Sequence, residues 1–139
     1  MTDSLAAPGT RAPSGSPVQR FRVLSGEFTV EHVKDGRVPA DGDWRVLHRA
    51  PEGLTVVREV REPAAGEEDG TERWSGLYGE TSHDLDLPGV VAAVTGPLAA
   101  AAVPVFVSSS FHSDLVLVPR ERLAEARAVL RAAGHEVTG

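Results

Sequence analysis

The stretch DLDLPGVVAAVTGPLAAAAVPVFVSSSFHSDLVLVP, residues 84–119, decides the fold. Its middle is apolar and built of small residues, while both ends are polar: Asp86-Leu87-Pro88-Gly89 on one side and the run from Ser108 to Asp114 on the other. Val90, Val91, Val94, Leu98 and Ala101 or Ala102 recur at helical spacing, a stripe suited to lying on a sheet. Pro97 removes one backbone hydrogen bond from that helix, which predicts a kink or break near Gly96-Pro97. VPVFVSSSF (103–111) and DLVLVP (114–119) then read as two strands rich in β-branched residues, joined by a tight turn at His112-Ser113.

The flanking sequence extends this grammar. ERWSGLYGE (72–80) supplies a strand before the first helix, and PRERLAEARAVLRAAG (119–134) supplies a second helix after the strand pair. Pro119 suits its first turn, Glu121 its positive end, Arg127 and Arg131 its negative end, and Gly134 its stop. Leu123, Ala126, Leu130 and Ala133 are expected to face the sheet, and HEV (135–137) to close it. The order β-α-β-β-α-β predicts an α+β, ferredoxin-like unit in which residues 72–137 form a four-stranded antiparallel sheet with both helices on one face.

The first half is mostly β. FRVLSGEFTVEHV (21–33) alternates around Gly26 as a bent strand would, DGR (35–37) marks a turn, and DWRVLHRAPEGLTVVREV (43–60) reads as a hairpin turning at Pro51-Glu52-Gly53. REPAAGEEDGT (61–71) is an expected exposed linker, and residues 1–17, which lack an apolar core or basic start, are an expected disordered tail rather than a signal peptide. This divides the chain into a tail (1–17), a β-rich unit (18–62) and a C-terminal unit (72–139).

Composition narrows the partners. Asp and Glu outnumber Lys and Arg 20 to 14 for a formal charge of -6, with no basic cluster longer than Arg120-Glu121-Arg122, so neither nucleic acid nor an anionic membrane is an expected partner. There is no cysteine, hence no disulfide framework or thiolate metal site, and a cytoplasmic location is expected. The histidines at 32, 48, 83, 112 and 135 lack ligand spacing, so no metal or other cofactor is expected. The small-residue run 87–107 carries Pro88, Pro97 and Pro104 and reads as buried helix and strand, not a membrane span.

The polar ends of the opening stretch are the candidate site. Gly89 lets backbone approach a bound group, and the free amides of the helix start attract an anion. Asp114, on an adjoining strand, offers a carboxylate to a cation. Together they describe a clamp for an amino acid, although from the residues alone the simpler reading is Asp86 as a helix N-cap and Asp114 as a solvated turn residue. His83 and His112 read as exposed loop histidines, and Trp44 and Trp74 as core or interface residues. Ser110, His112 and Asp114 carry the residue types of a hydrolase triad, but alternate strand residues lie about 6.6 Å apart, too far for a nucleophile, base and orienter. Catalysis is not expected.

DLDLPGVV after a strand resembles the Asp-x-Pro-Gly signature of ACT domains, β-α-β-β-α-β modules that bind amino acids and regulate enzymes. The run GVVAAVTGPLAAAAVPVFVSSSFHSDLVLVPRERL is similar to the bacterial tandem-ACT proteins related to the CASTOR arginine sensors. LSGEFTV followed by EGLTVV resembles their amino-terminal unit, here a smaller, mostly β ACT-like unit. The resemblance implies that Gly89 contacts ligand through its backbone, with Asp86, Leu87 and Val90 in the same loop. It also places Ser110 and Asp114 in the strand-turn motif, Asp114 matching a ligand-binding carboxylate. Leu87 falls where the arginine sensors carry Glu. The implied protein is a non-catalytic amino-acid sensor and homodimer; the alternative is a ligand-free ACT module that works in dimerisation or protein–protein interaction.

Overall fold

The computed structural model describes residues 17–40, 44–60, 72–84 and 86–139. The expectations for residues 1–16 and for the linker at 61–71 lie outside the described residues. From the N-terminus come strands β1 (Arg20–Val23), β2 (Glu27–Val33), β3 (Trp44–Ala50), β4 (Gly53–Val60) and β5 (Trp74–Gly79). Helix α1 (Val90–Ala100), β6 (Phe106–Ser109), β7 (Asp114–Pro119), a 3-10 turn (Arg120–Arg122), α2 (Leu123–Ala132) and β8 (Glu136–Thr138) complete the chain. The second half thus has the β-α-β-β-α-β order that its sequence predicts.

The pairing differs from the four-stranded antiparallel sheet expected of residues 72–137. β1 runs antiparallel to β5, with Phe21 opposite Gly79 and Val23 opposite Leu77, and among the described residues β8 joins the sheet only through β1, in parallel, with Val137 opposite Phe21. A strand from the first half therefore stands inside the C-terminal sheet, and the eight strands form one mixed sheet. The physical reason is the ring of Phe21. It is fully buried, and with Val137 and Leu77 it floors the core under the helices.

Period-2 alternation sorts the sheet's side chains into two cores. On one face Phe21, Leu77, Val116, Val118 and Val137 pack against Val94 and Leu98 of α1 and Ala126 and Leu130 of α2, so both helices cover the same face. Each fully buried Leu or Phe here contributes about 1.5–3 kcal/mol. On the other face Leu115, Leu117, Phe106, Trp74 and Tyr78 meet Phe28, Val30, Val46 and Val57 from β2, β3 and β4. The chain reaches both faces because the bend expected at Gly26 exists, at φ 86°: β1 pairs with the end of β5, and β2 pairs with its start through Phe28 opposite Trp74. The β3–β4 hairpin turns at Pro51-Glu52 as expected.

Three local expectations are corrected. Val91 is 39% exposed and Ala93 takes its place on the buried side of α1. Ala133 is exposed beyond the end of α2. α1 also runs through Pro97 without a break. Pro97 has no N–H for the carbonyl of Ala93, four residues earlier, and the ring of buried His135 supplies the missing donor: Nε2 lies 2.9 Å from Ala93 O. Its Nδ1 accepts the Gln19 backbone N–H at 3.0 Å, which fixes the neutral Nε2–H tautomer, and the Gln19 side-chain amide donates to Val90 O at 2.9 Å. The residue before β1, the residue before β8 and the first turn of α1 are thereby tied together.

Among the described residues no helix is long and apolar enough to cross a membrane.

The bond to His135 yields a double-mutant prediction. His135→Phe strands the Ala93 carbonyl and the Gln19 amide and should cost about 2–5 kcal/mol, since each buried orphan costs about 1–3 kcal/mol. Pro97→Ala restores an in-helix donor, so it should stabilise the His135→Phe background by more than it stabilises the parent, measured by urea unfolding of all four proteins. Equal effects in both backgrounds would show that His135 does not serve Ala93.

Candidate functional site

The loop leaving β5 enters α1 through Gly89, which occupies the N-cap position at φ 83°. That left-handed conformation costs a side-chain-bearing residue about 1–2 kcal/mol, so the glycine is read by conformation. Asp86 is therefore not the N-cap; it sits exposed in the preceding loop, and no side chain caps the helix. The first intrahelical bond is Ala93 N–H to Gly89 O, which leaves the amides of residues 90–92 without acceptors in the helix. No acidic residue stands in the first turn, so the positive end of the helix is not neutralised from within.

Opposite this terminus stands the β6–β7 turn, held by a dense hydrogen-bond set. Ser110 N–H donates to Ser113 O at 2.7 Å, Ser110 Oγ donates to the same carbonyl at 2.8 Å, and Ser113 N–H donates to Ser110 Oγ at 3.2 Å. Ser113 Oγ donates to Gly79 O at 2.7 Å, and Tyr78 Oη lies 3.2 Å from Ser110 Oγ. The turn is fastened to the end of β5 rather than hanging free.

Asp114, the first residue of β7, is 2% exposed and so is not a solvated turn carboxylate. Its Oδ1 accepts from Ser109 Oγ at 2.6 Å. Its Oδ2 is buried with no hydrogen-bond partner among the described residues, and so is His83 Nε2, 3.7 Å away. His83 is held in its loop by its backbone N–H to His112 O at 3.3 Å, and its side chain is only 14% exposed, against the exposure expected for it.

A cavity of about 260 Å³ lies between the helix terminus and the turn, and Leu87, Gly89, Val90, Ser110 and Asp114 all line it, together with His83 and Ser109. Asp86 does not. A neighbouring cavity of about 290 Å³ shares His83, Leu87 and Val90 and is completed by Pro17, Val18 and Gln19 from the segment just ahead of β1. Of the lining residues, His83, Asp84, Val91, Ala92 and Ser109 are those that sequence reasoning did not place in the site. Ser109 was legible by alternation, being directly opposite Asp114 in the strand pair.

The Ser110, His112 and Asp114 trio is not assembled: the His112 ring is exposed and packs edge-on against Phe111 at 4.8 Å, while Ser110 and Asp114 bond elsewhere. Among the described residues no group of three or more His, Asp or Glu side chains could hold a metal ion. Elsewhere, a depression of about 450 Å³ at the β1–β2 bend has Arg45 paired with Glu59.

The model of the ACT domain matches residues 70–132, and the C-terminal half of the chain carries an ACT domain after an N-terminal β region. Among solved structures, the chain is similar to protein Atu0741 from Agobacterium tumefaciens, at 24% identity and a TM-score of 0.72, over 88% of this chain and 93% of that one. It is also similar to VC0802 from Vibrio cholerae, a protein of unknown function, at 22% identity and a TM-score of 0.65, over 79% of this chain and 85% of that one. These likenesses are of fold. No curated protein matches the sequence significantly.

Ser109→Ala removes the one hydrogen bond that the Asp114 carboxylate makes among the described residues. It should cost about 1–3 kcal/mol, well above the usual 0.5 kcal/mol limit of a surface change, by thermal or urea unfolding. A cost within that limit would mean that Asp114 is not held by Ser109.

Proposed function

We propose that the protein is a non-catalytic regulatory module of the ACT type that binds an amino acid non-covalently in the cleft between α1 and the β6–β7 turn. The observation that carries this reading is Asp114, a carboxylate 2% exposed whose Oδ2 has no hydrogen-bond partner among the described residues, set across a cavity from an uncapped helix N-terminus. A buried charge without a partner is costly, so a fold that keeps one gains stability when a cation arrives. The helix amides take the ligand's carboxylate and Asp114 its ammonium. The presence of an ACT domain supports a small-molecule-binding role.

Within the resemblance to tandem-ACT arginine sensors, Leu87 replaces the glutamate of those sensors and lines the cavity, which favours a ligand whose side chain carries no charge there. A second reading, a ligand-free module that works by dimerisation, is favoured by the apolar rim of Phe111, Leu87 and Val91, exposed 69%, 46% and 39%. Both readings accommodate a homodimer.

Thermal shift against the twenty amino acids separates them, because a native-state ligand at a hundred times its Kd stabilises by about 2.7 kcal/mol. With the amino acid that shifts the melt, Asp114→Asn should lose about ten- to a hundredfold in affinity by calorimetry. Asn keeps an acceptor for Ser109, so its melting temperature should stay near the parent's. Unchanged affinity would remove Asp114 from the site, and a melt that no amino acid shifts would favour the dimerisation reading.

A further inference from the structure

The two buried atoms of the site that have no hydrogen-bond partner among the described residues are neighbours on different segments, and their chemistry specifies more than a cation. His83 Nδ1 lies 3.4 Å from the backbone carbonyl of Asp84, an acceptor, so Nδ1 carries a proton, and in a neutral ring Nε2 then keeps its lone pair. Nε2 faces Asp114 Oδ2 at 3.7 Å, and neither atom can donate to the other in those states. Two acceptors therefore look into one space, while Ser109 fixes the carboxylate through its other oxygen.

Resting on the amino-acid reading, we infer that His83 and Asp114 form a two-acceptor receptor that selects a ligand amine carrying at least two N–H bonds. A nitrogen placed about 2.8 Å from both atoms sees them about 80° apart, so two hydrogens of a tetrahedral ammonium each fall about 15° off line, within hydrogen-bond tolerance. A planar guanidinium fork, whose parallel N–H bonds match the closer oxygens of a single carboxylate, fits two acceptors at this spacing less well. Primary and secondary ammonium groups satisfy both acceptors. A tertiary ammonium satisfies one and strands the other, and a quaternary ammonium satisfies neither. The ligand class is thus an amino acid with a free or singly substituted amino group, and His83 is the residue that sets the limit. Asp114 alone, as a point charge, would not distinguish these amines so sharply.

The test uses the full chain, labelled with ¹⁵N, and titrates it with methyl-, dimethyl-, trimethyl- and tetramethylammonium chloride while following the side-chain nitrogens of His83 and the amides of Ser109 and Val90. The expected result is saturable binding of the first two and at least tenfold weaker binding of the last two. His83→Phe should weaken methylammonium at least tenfold and flatten the series. His83→Gln, which returns an acceptor, should keep the break between dimethyl- and trimethylammonium. The parent series decides the matter even if a variant does not fold. Four amines alike, or none binding, overturns the receptor.

Glycine and N,N-dimethylglycine separate this inference from the reading it rests on. Glycine no tighter than methylammonium would remove the zwitterion clamp and leave the receptor standing. Dimethylglycine as tight as glycine would remove the receptor and leave the clamp.

Discussion

The insertion of β1 between β5 and β8 is the constraint on which the rest depends. β8 is three residues long and, among the described residues, finds its place in the sheet through β1 alone. Removing β1 would take away Phe21 from the helix-side core and the strand partner that β8 has among the described residues, and would free the adjoining Gln19, whose backbone amide holds His135. His135 in turn supplies the donor that lets α1 pass through Pro97. The position of the helix N-terminus at Gly89 therefore follows from a strand far away in sequence, and so does the second cavity, which Pro17, Val18 and Gln19 complete.

The candidate site uses that rigidity. An uncapped helix terminus and a carboxylate with an unpartnered oxygen are each unfavourable features in a folded protein, and each is more unfavourable when buried. Here the surrounding structure holds them apart. The serine-rich turn is bonded to itself and to β5, Ser109 occupies one carboxylate oxygen, and Gln19 anchors the first turn of α1. Such preorganisation lowers the ordering cost of binding, because the groups that meet the ligand are already placed. It also accounts for the polar end of the opening stretch, where hydroxyls supply the internal bonds of the turn.

Local patterns were the legible part. The order of elements, the bend at Gly26, the hairpin at Pro51-Glu52 and the convergence of Gly89, Ser110 and Asp114 all follow from periodicity, turn chemistry and the β-α-β-β-α-β order. What was not legible is non-local. The alternation in residues 20–23 marks a strand but does not name its neighbours, and an inserted partner leaves no local signal. Pro97 signals a break because the sequence cannot show that a histidine from beyond α2 will replace its hydrogen bond. His83 reads as a loop residue because its burial comes from the turn at residues 110–113, to which its backbone amide is bonded. Asp86 illustrates the converse: a good N-cap residue type, displaced from that role by a glycine already in the left-handed conformation.

Native-state hydrogen exchange tests the central claim, that β1 is an integral part of the C-terminal sheet, most directly. The amides that bond β1 to its neighbours, including Leu24 to Gly76 O, Glu80 to Arg20 O and Glu136 to Gln19 O, should open with the same free energy as the amides joining β5 to β7, as one cooperative unit. Exchange of the β1 and β8 amides through a separate, low-energy opening, with β5–β7 still protected, would contradict it.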